Sequence, residues 1–268
     1  MALQVIQALP GFEEWRCLAR KCLQDKIHPH QVTWKTAGDS ETPSLFAPRH
    51  FELAPGSDSG EASPVFVPKA FLNQAAIAAC HRDPNRYGLL YKLLWRLAFE
   101  NKNLLQLQTD DDVMHFNQLI KAVQRDAYKI KAFLRFREVE QAGEAHFVSW
   151  YEPEHYSLEL ALPFFQTRFK NMRWSILTPY RCAHWDRNTL TLSELSETPP
   201  SGLYPESDSV EGYWLTYYEH TFNPARIKTR AMLSQMPKKY WKNMPETALV
   251  AKMLQNAEGR LQKMLNAP

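Results

Sequence analysis

One stretch of this sequence is apolar on almost every side of a helix. Residues 84–105, PNRYGLLYKLLWRLAFENKNLL, begin with Pro84, a residue that suits the first turn of a helix. Leucine and aromatic residues then recur so densely that they nearly encircle the helix axis. A helix that is apolar all round belongs in the interior of a protein. We therefore predict that these residues form a central core helix.

Helical patterns also occur on both sides of this segment. Residues 11–26 form an amphipathic pattern, a second helix opens at Pro68, and a third follows the acidic residues 110–112. The predicted buried side of this third helix is marked by Met114, Leu119, Val123, Tyr128 and Phe133. Three more helical stretches are predicted near the end of the chain, at 212–221, 224–235 and 246–265.

Strand patterns are concentrated between two helical regions. Residues 133–153 are typical of a β-hairpin that turns at 141–143, and 173–182 and 183–195 predict two more strands. A short helix over 158–172 is expected to be interrupted at Pro163. Residues 31–35 alternate as an isolated strand. Helices, then strands, then helices favour an α+β fold with a mostly helical body and a small antiparallel sheet.

The region 36–64 separates two parts of the chain. It is rich in Ser, Pro, Gly and Asp, which predicts a loop with a short strand near Phe51. We expect residues 1–64 to supply an N-terminal helix, a strand and this loop, packed on a main α+β domain over 65–268.

Composition narrows the function classes. The 268 residues include only 9 glycines, and neither GxGxxG nor GxxxxGK[ST] occurs, so a glycine-rich phosphate cradle is not expected. The four cysteines (Cys17, Cys22, Cys80 and Cys182) form no CxxC pair, and we expect neither a disulfide framework nor a metal or other cofactor. No 18-residue apolar run or signal peptide is evident, which predicts a cytoplasmic protein without a membrane partner.

Two short polar motifs are candidates for chemistry. Glu152, Glu154 and His155 follow a predicted strand, where a carboxylate could orient the imidazole as a general base or all three could bind a metal. The alternative is an exposed turn at Pro153 with His155 capping the next helix. In the second motif, strand alternation places Cys182, His184 and Asp186 on one face, as nucleophilic catalysis or metal binding would require.

The second motif has a geometric objection. Alternate residues of a strand lie about 6.5–7 Å apart, which is too far for direct hydrogen bonds unless the chain bends. The alternative is a partly buried Cys182 beside a surface His184 and Asp186.

A basic and aromatic window is the main candidate for nucleic-acid binding. Residues 220–245, HTFNPARIKTRAMLSQMPKKYWKNMP, hold six Lys/Arg and no carboxylate. Spaced cations can neutralise successive phosphates, and aromatic faces can stack on unpaired bases. The candidate contacts are His220, Arg226, Lys228, Arg230, Lys238, Lys239 and Trp241. One alternative is a solvated basic face over packed aromatics. Another is a docking surface that uses Phe222, Arg226, Met232, Met236, Tyr240 and Trp241.

A second basic group lies in or beside the predicted hairpins. Its members are Arg135, Arg137, Arg168, Lys170, Arg173 and Arg181. If the strands form one sheet, Trp150 and Trp174 could stack on bases beside these cations. Cation–π packing inside the protein is the alternative.

Five blocks of the sequence resemble a bacterial family of unknown function. They are CHRDPNRYGLLYKLLWRL at 80–97, KAFLRFREV at 131–139, FVSWYEPEH at 147–155, RFKNMRWSILTPYRCAHWD at 168–186 and NPARIKTRAMLSQMPKKYWKNMPE at 223–246. Members of that family occur alone or fused ahead of a uracil-DNA glycosylase-like domain, often encoded beside a radical-SAM protein. The resemblance implies an accessory role in DNA repair or modification, with DNA or such an enzyme as partner.

Two other functions stay open at the level of sequence. The chain could be a nucleic-acid-processing enzyme that uses Glu152, Glu154 and His155 with His184 and Asp186. It could also be a protein–protein adaptor without nucleic-acid contact, which a broad exposed apolar patch would favour.

Overall fold

A computed structural model describes residues 4–8, 11–36, 49–50, 67–141, 144–193, 236–244 and 247. The helices are α1 (Phe12–Gln24), α2 (Lys69–Ala78), α3 (Arg86–Phe99), α4 (Asp111–Phe133) and α5 (Leu158–Arg168). The strands are β1 (Gln4–Ala8), β2 (Val32–Thr36), β3 (Arg49–His50), β4 (Arg137–Gln141), β5 (Glu144–Trp150), β6 (Trp174–Leu177), β7 (Cys182–Trp185) and β8 (Leu190–Ser193). Short 3-10 helices cover Pro29–Gln31, Leu104–Gln106 and Lys238–Asn243.

The chain forms two compact units. The first contains residues 1–126 and 154–157, and the second contains 127–153 and 158–268. The predicted division at residue 64 stays a prediction. None of the helices in the described ranges has the length and apolar character needed to cross a membrane.

The first unit is built around α3, as predicted. Buried residues of α3 include Tyr87, Leu90, Tyr91 and Leu94. Trp15 of α1 packs against Tyr87, with ring centroids 6.2 Å apart, and Trp34 of β2 packs against Tyr91 at 5.5 Å. The helix ends at Phe99, earlier than predicted, and the 3-10 turn over Leu104–Gln106 follows it.

A parallel sheet of three strands belongs to the same unit, in the order β2-β1-β3. Strands β1 and β2 pair in parallel from Gln4 opposite Val32 to Ala8 opposite Thr36. Because α1 connects them, they form a β-α-β crossover, the usual way to join parallel neighbours. The sequence analysis did not predict β1.

The second unit contains a mixed sheet in the order β4-β5-β6-β7-β8. Strands β4 and β5 form the predicted antiparallel hairpin, and the pairs β6–β7 and β7–β8 are also antiparallel. The pair β5–β6 is parallel because α5 crosses over between them. The fold is thus α+β as predicted. The expectation of an antiparallel sheet is wrong for the pair β5–β6 and for the three-stranded sheet β2-β1-β3, in which both pairs are parallel.

One face of this sheet carries the core of the second unit. Phe147, Trp174, Ile176, Ala183 and Trp185 lie on this face, where Trp174 and Trp185 stack with centroids 6.3 Å apart. Helix α5 packs on the core through its buried residues Leu158, Ala161, Leu162 and Phe165.

Three local predictions need correction. Helix α5 continues through Pro163, because its buried apolar residues hold the helix despite the missing N–H. Residues 173–195 form three strands instead of two, with the first turn after Leu177. In α4, Met114 and Tyr128 are exposed, and the buried side is formed by Val113, Phe116, Leu119, Ile120, Val123, Ala127 and Ile130. The helices predicted at 212–221, 224–235 and 246–265 lie outside the described residues, apart from single positions.

Candidate functional site

Asp126 fixes the loop that carries His155. Its carboxylate is buried, with 1% of the residue exposed. It accepts hydrogen bonds from the backbone N–H groups of Glu154 (3.1 Å) and His155 (2.9 Å) and from the Ser157 hydroxyl (2.6 Å). A buried carboxylate requires such donors, and three of them hold residues 154–157 in one conformation. The sequence analysis missed Asp126, because these bonds join residues far apart in the chain.

His155 forms a stacked pair with His81 in the first unit. The two ring centroids are 4.1 Å apart and the planes differ by 29°. The Nδ1 atom of His155 accepts from the backbone N–H of Arg82 (3.4 Å), and that of His81 accepts from the backbone N–H of Asp83 (2.9 Å). When neutral, both rings therefore carry their proton on Nε2.

The charges around this pair are predominantly positive. Burial, followed by the neighbouring charge of His155, lowers the pKa of His81 to about 4, with Arg86 and His115 acting in the same direction. Asp83 opposes this shift. Its carboxylate lies 3.6 Å from Nε2 of His115. The imidazole of His81 is therefore neutral near pH 7, in a setting that disfavours additional positive charge.

The predicted catalytic carboxylates are not equivalent. Glu152 belongs to the second unit and accepts a hydrogen bond from the indole N–H of Trp150 (2.9 Å). Glu154 and His155 belong to the first unit, where their backbone N–H groups bond Asp126. A joint catalytic role for Glu152, Glu154 and His155 stays a prediction.

A row of polar side chains crosses the second face of the mixed sheet. The Ser175 hydroxyl lies 2.8 Å from His146 Nε2 and 2.8 Å from His184 Nδ1, and His184 Nε2 lies 3.0 Å from the Ser193 hydroxyl. Cys182 is on the same face as His184, as predicted. Burial raises the pKa of its thiol, so Cys182 is held as the weakly nucleophilic neutral form.

Asp186 has a different role from the one that a Cys–His–Asp row would give it. Its carboxylate accepts from the backbone N–H groups of Asn188 (2.8 Å) and Thr189 (2.7 Å), which lowers its pKa. These bonds close the turn between β7 and β8, where Arg187 has φ 85°. The structure therefore places His184 in the serine–histidine row and Asp186 in a turn.

The arginines of the sheet region make local contacts. Arg135 precedes β4 and donates to the carbonyls of Ala132 (2.8 Å) and Leu134 (3.1 Å). Arg173 forms an ion pair with Glu144 (2.8 Å), and Arg181 pairs with Glu159. Arg137 lies in β4 opposite Val148, and the Arg168 guanidinium lies 5.9 Å from the ring centroid of Phe169.

Neither tryptophan of this region offers a face to a nucleic-acid base. Trp150 is 6% exposed and Trp174 is fully buried. The expectation that these two residues stack on bases is therefore wrong, because their rings are packed within the second unit.

The described part of the basic window combines a buried side with a charged side. Met236, Tyr240 and Met244 are buried in the core of the second unit. Lys238 and Lys239 are exposed on the 3-10 helix between them. Trp241 is half-buried and donates its indole N–H to the carbonyl of Met236 (3.1 Å).

The burial of these residues bears on the hypothesis that the basic window is a docking surface for a partner protein. Met236 is a core residue, so it is not available as a docking contact. His220, Arg226, Lys228 and Arg230, the other predicted contacts of the window, lie outside the described residues.

The chain belongs to an uncharacterised protein family. A family model for the domain of unknown function DUF4130 matches residues 84–246. This range includes the central helix α3, the mixed sheet and the Lys238–Asn243 helix. Neither the curated proteins nor the solved structures contain a match to this chain.

Across the described ranges, His, Cys, Asp and Glu residues form no group of three or more that could hold a metal ion.

Proposed function

We propose that this protein is an accessory factor of DNA repair or modification that binds the DNA backbone through the Lys238–Asn243 helix. The role in DNA metabolism, and a glycosylase-like or radical-SAM partner, are suggested by the family resemblance of the five sequence blocks. The observation that supports DNA binding is the arrangement of lysines around Tyr240.

Tyr240 is a rigid support for two cations. The residue is 5% exposed, and its ring stacks on Phe133 and Tyr151 with centroids 5.2 and 5.7 Å apart. The ammonium groups of Lys239 and Lys129 lie 4.9 and 5.5 Å from the same ring centroid.

This geometry suits a phosphate backbone. Both ammonium groups lie near one ring, and phosphate oxygens accept hydrogen bonds from ammonium groups. Because the aromatic ring is fixed in the core, less side-chain freedom is lost when the lysines contact a ligand. Lys238 precedes Lys239 on the short helix and adds a third cation.

Charge reversal of Lys238 and Lys239 tests this function. We expect wild-type DNA binding to weaken steeply with salt, and K238E/K239E to reduce the slope of log affinity against log salt by about 2. The loss should be similar for different DNA sequences, because phosphate contacts carry no sequence information. Fluorescence anisotropy with labelled single- and double-stranded DNA at several salt concentrations measures both quantities.

A matched control separates local contacts from net charge. K69E/K102E makes the same change in charge at two exposed lysines of the first unit. We expect this variant to retain most of the wild-type affinity. Absence of DNA binding by the wild type at low salt, or an equal loss in both double variants, would contradict the proposal.

A further inference from the structure

Arg86 is a buried cation whose charge is incompletely satisfied. The residue is 2% exposed. Its Nε donates to the carbonyl of Ala79 (2.9 Å) and its Nη1 to the carbonyl of Asp83 (3.0 Å), whereas Nη2 is buried without a hydrogen-bond partner. Among the described residues, no carboxylate forms an ion pair with this guanidinium.

Aromatic contacts compensate the charge only in part. The Arg86 guanidinium carbon lies 4.4 Å from the ring centroid of Tyr87 and 5.6 Å from that of Tyr156. Cation–π contacts contribute about 0.5–2 kcal/mol each, whereas burial of an unpaired charge costs considerably more. An anion bound next to Arg86 would offset the cost of burying this charge.

Other donors and cations lie in the same two loops as Arg86 and Tyr156. Arg82 is exposed, and its guanidinium lies 5.7 Å from the same Tyr156 ring. His81 and His155 are half-exposed and stacked, and each carries its proton on Nε2 when neutral. The backbone N–H of Tyr156 donates to the carbonyl of Cys80 (2.8 Å), which joins the two loops that carry these side chains.

Helix α3 strengthens the preference for a negative ligand. Arg86 is its first residue, and Asn85 at the N-cap makes no side-chain capping bond. The partial positive charge at a helix N-terminus stabilises nearby anions. The neighbouring carboxylate, Asp83, accepts from the backbone N–H of Asn85 (2.8 Å) and lies beside His115, so it has partners of its own.

We propose that residues 80–86 and 154–157 form a phosphate-binding site. Arg82 and Arg86 supply charge, and His81 supplies an imidazole N–H donor. Phosphate suits this set because its several oxygens accept hydrogen bonds from guanidinium and imidazole groups at once. The site lies in the first unit and does not depend on the lysines around Tyr240.

Titration with inorganic phosphate tests the site directly. We expect saturable binding by isothermal titration calorimetry, and a rise of the His81 pKa on binding, measured by histidine NMR. R82A and H81Q should each weaken binding about tenfold, as expected for loss of one charge-assisted hydrogen bond. K102A, which removes an exposed lysine elsewhere in the first unit, should bind as the wild type does.

Arg86 is buried, so substitutions at this position can unfold the protein. The test of the phosphate site therefore uses the half-exposed His81 and the exposed Arg82. No saturable binding by the wild type would overturn the proposal. Unchanged binding by folded R82A and H81Q would overturn it too, because the side chains named here would then make no contact with phosphate.

Competition with DNA identifies the source of the phosphate. Two oligonucleotides of one sequence, with a 5′-phosphate or a 5′-hydroxyl, compete with inorganic phosphate. Competition by the phosphorylated form alone supports a site for a terminal phosphate, and equal competition supports internal phosphodiesters. If neither competes, the site is one for a small phosphate compound.

The K238E/K239E variant keeps the two proposals apart. It should bind inorganic phosphate as the wild type does. If the wild type binds inorganic phosphate but no DNA, that result contradicts the proposed function and supports this site.

Discussion

The stacked imidazoles of His81 and His155 link the stability of the first unit to pH. The pKa of His81 is about 4 in the folded protein, against 6.5 for the ordinary side chain. Between these values the unfolded chain binds more protons, so stability rises with pH across this range and is lost as pH falls towards 4. The charges that act on this ring are those of His155, Arg86, His115 and Asp83, and of these only Asp83 favours the protonated form.

Replacement of His81 should therefore flatten the acid side of the stability profile. We expect H81Q to lose about 1 kcal/mol less than the wild type between pH 7 and pH 4, a value reduced for screening because the ring is half-exposed. Chemical denaturation at a series of pH values measures the difference. H30Q, which changes an exposed histidine, is the control. An H81Q profile parallel to that of the wild type would show that the ring titrates normally.

Helices and strands show which parts of the fold are predictable. The hairpin β4–β5 was found because its alternation and its turn lie in one continuous segment. The side of α4 was assigned wrongly at Met114 and Tyr128, because one apolar residue at each turn does not define the direction of the core. The parallel pairing of β5 and β6 follows from the helix between them, a signal that was present in the predicted order of elements.

The contacts around His155 were harder to predict from the sequence than the helices and strands. His155 was singled out from its own neighbours in the sequence. Its partners His81 and Asp126 lie in other segments, and only the fold brings them to it. Pairwise contacts of this kind leave no periodicity in a single sequence. The same limit applies to Ser175, which bonds two histidines from different strands.

The bond between α4 and the 154–157 loop gives a test at the level of elements. Asp126→Ala removes the acceptor of three hydrogen bonds and leaves Glu154, His155 and Ser157 with unsatisfied donors. We expect it to lower the free energy of unfolding by about 3 kcal/mol, because buried donors to a charged acceptor lose their partner. Q124A, an exposed position of the same helix, should change stability by less than about 0.5 kcal/mol. Equal urea midpoints for D126A and Q124A would show that the loop is held by other contacts.

At the scale of the whole molecule, the question is whether residues 65–268 can fold without the N-terminal part. Trp15 is fully buried and Trp34 nearly so, and both contact tyrosines of the central helix α3. A fragment 65–268 would expose Tyr87 and Tyr91, and each lost tryptophan removes a large buried apolar area from the core. Helix α1 and strand β2 therefore contribute to the core of the first unit.

We expect the fragment 65–268 to lack the cooperative thermal transition of the first unit and to bind a hydrophobic dye. W15A should cause the same defect in milder form, with a loss of about 3–5 kcal/mol, because it leaves a cavity beside Tyr87. C17A, at an exposed position of the same helix, should melt as the wild type does. Calorimetry and near-ultraviolet circular dichroism of the three proteins measure these differences. A fragment 65–268 with a cooperative transition at the wild-type temperature would mean that α3 is adequately covered without α1 and β2.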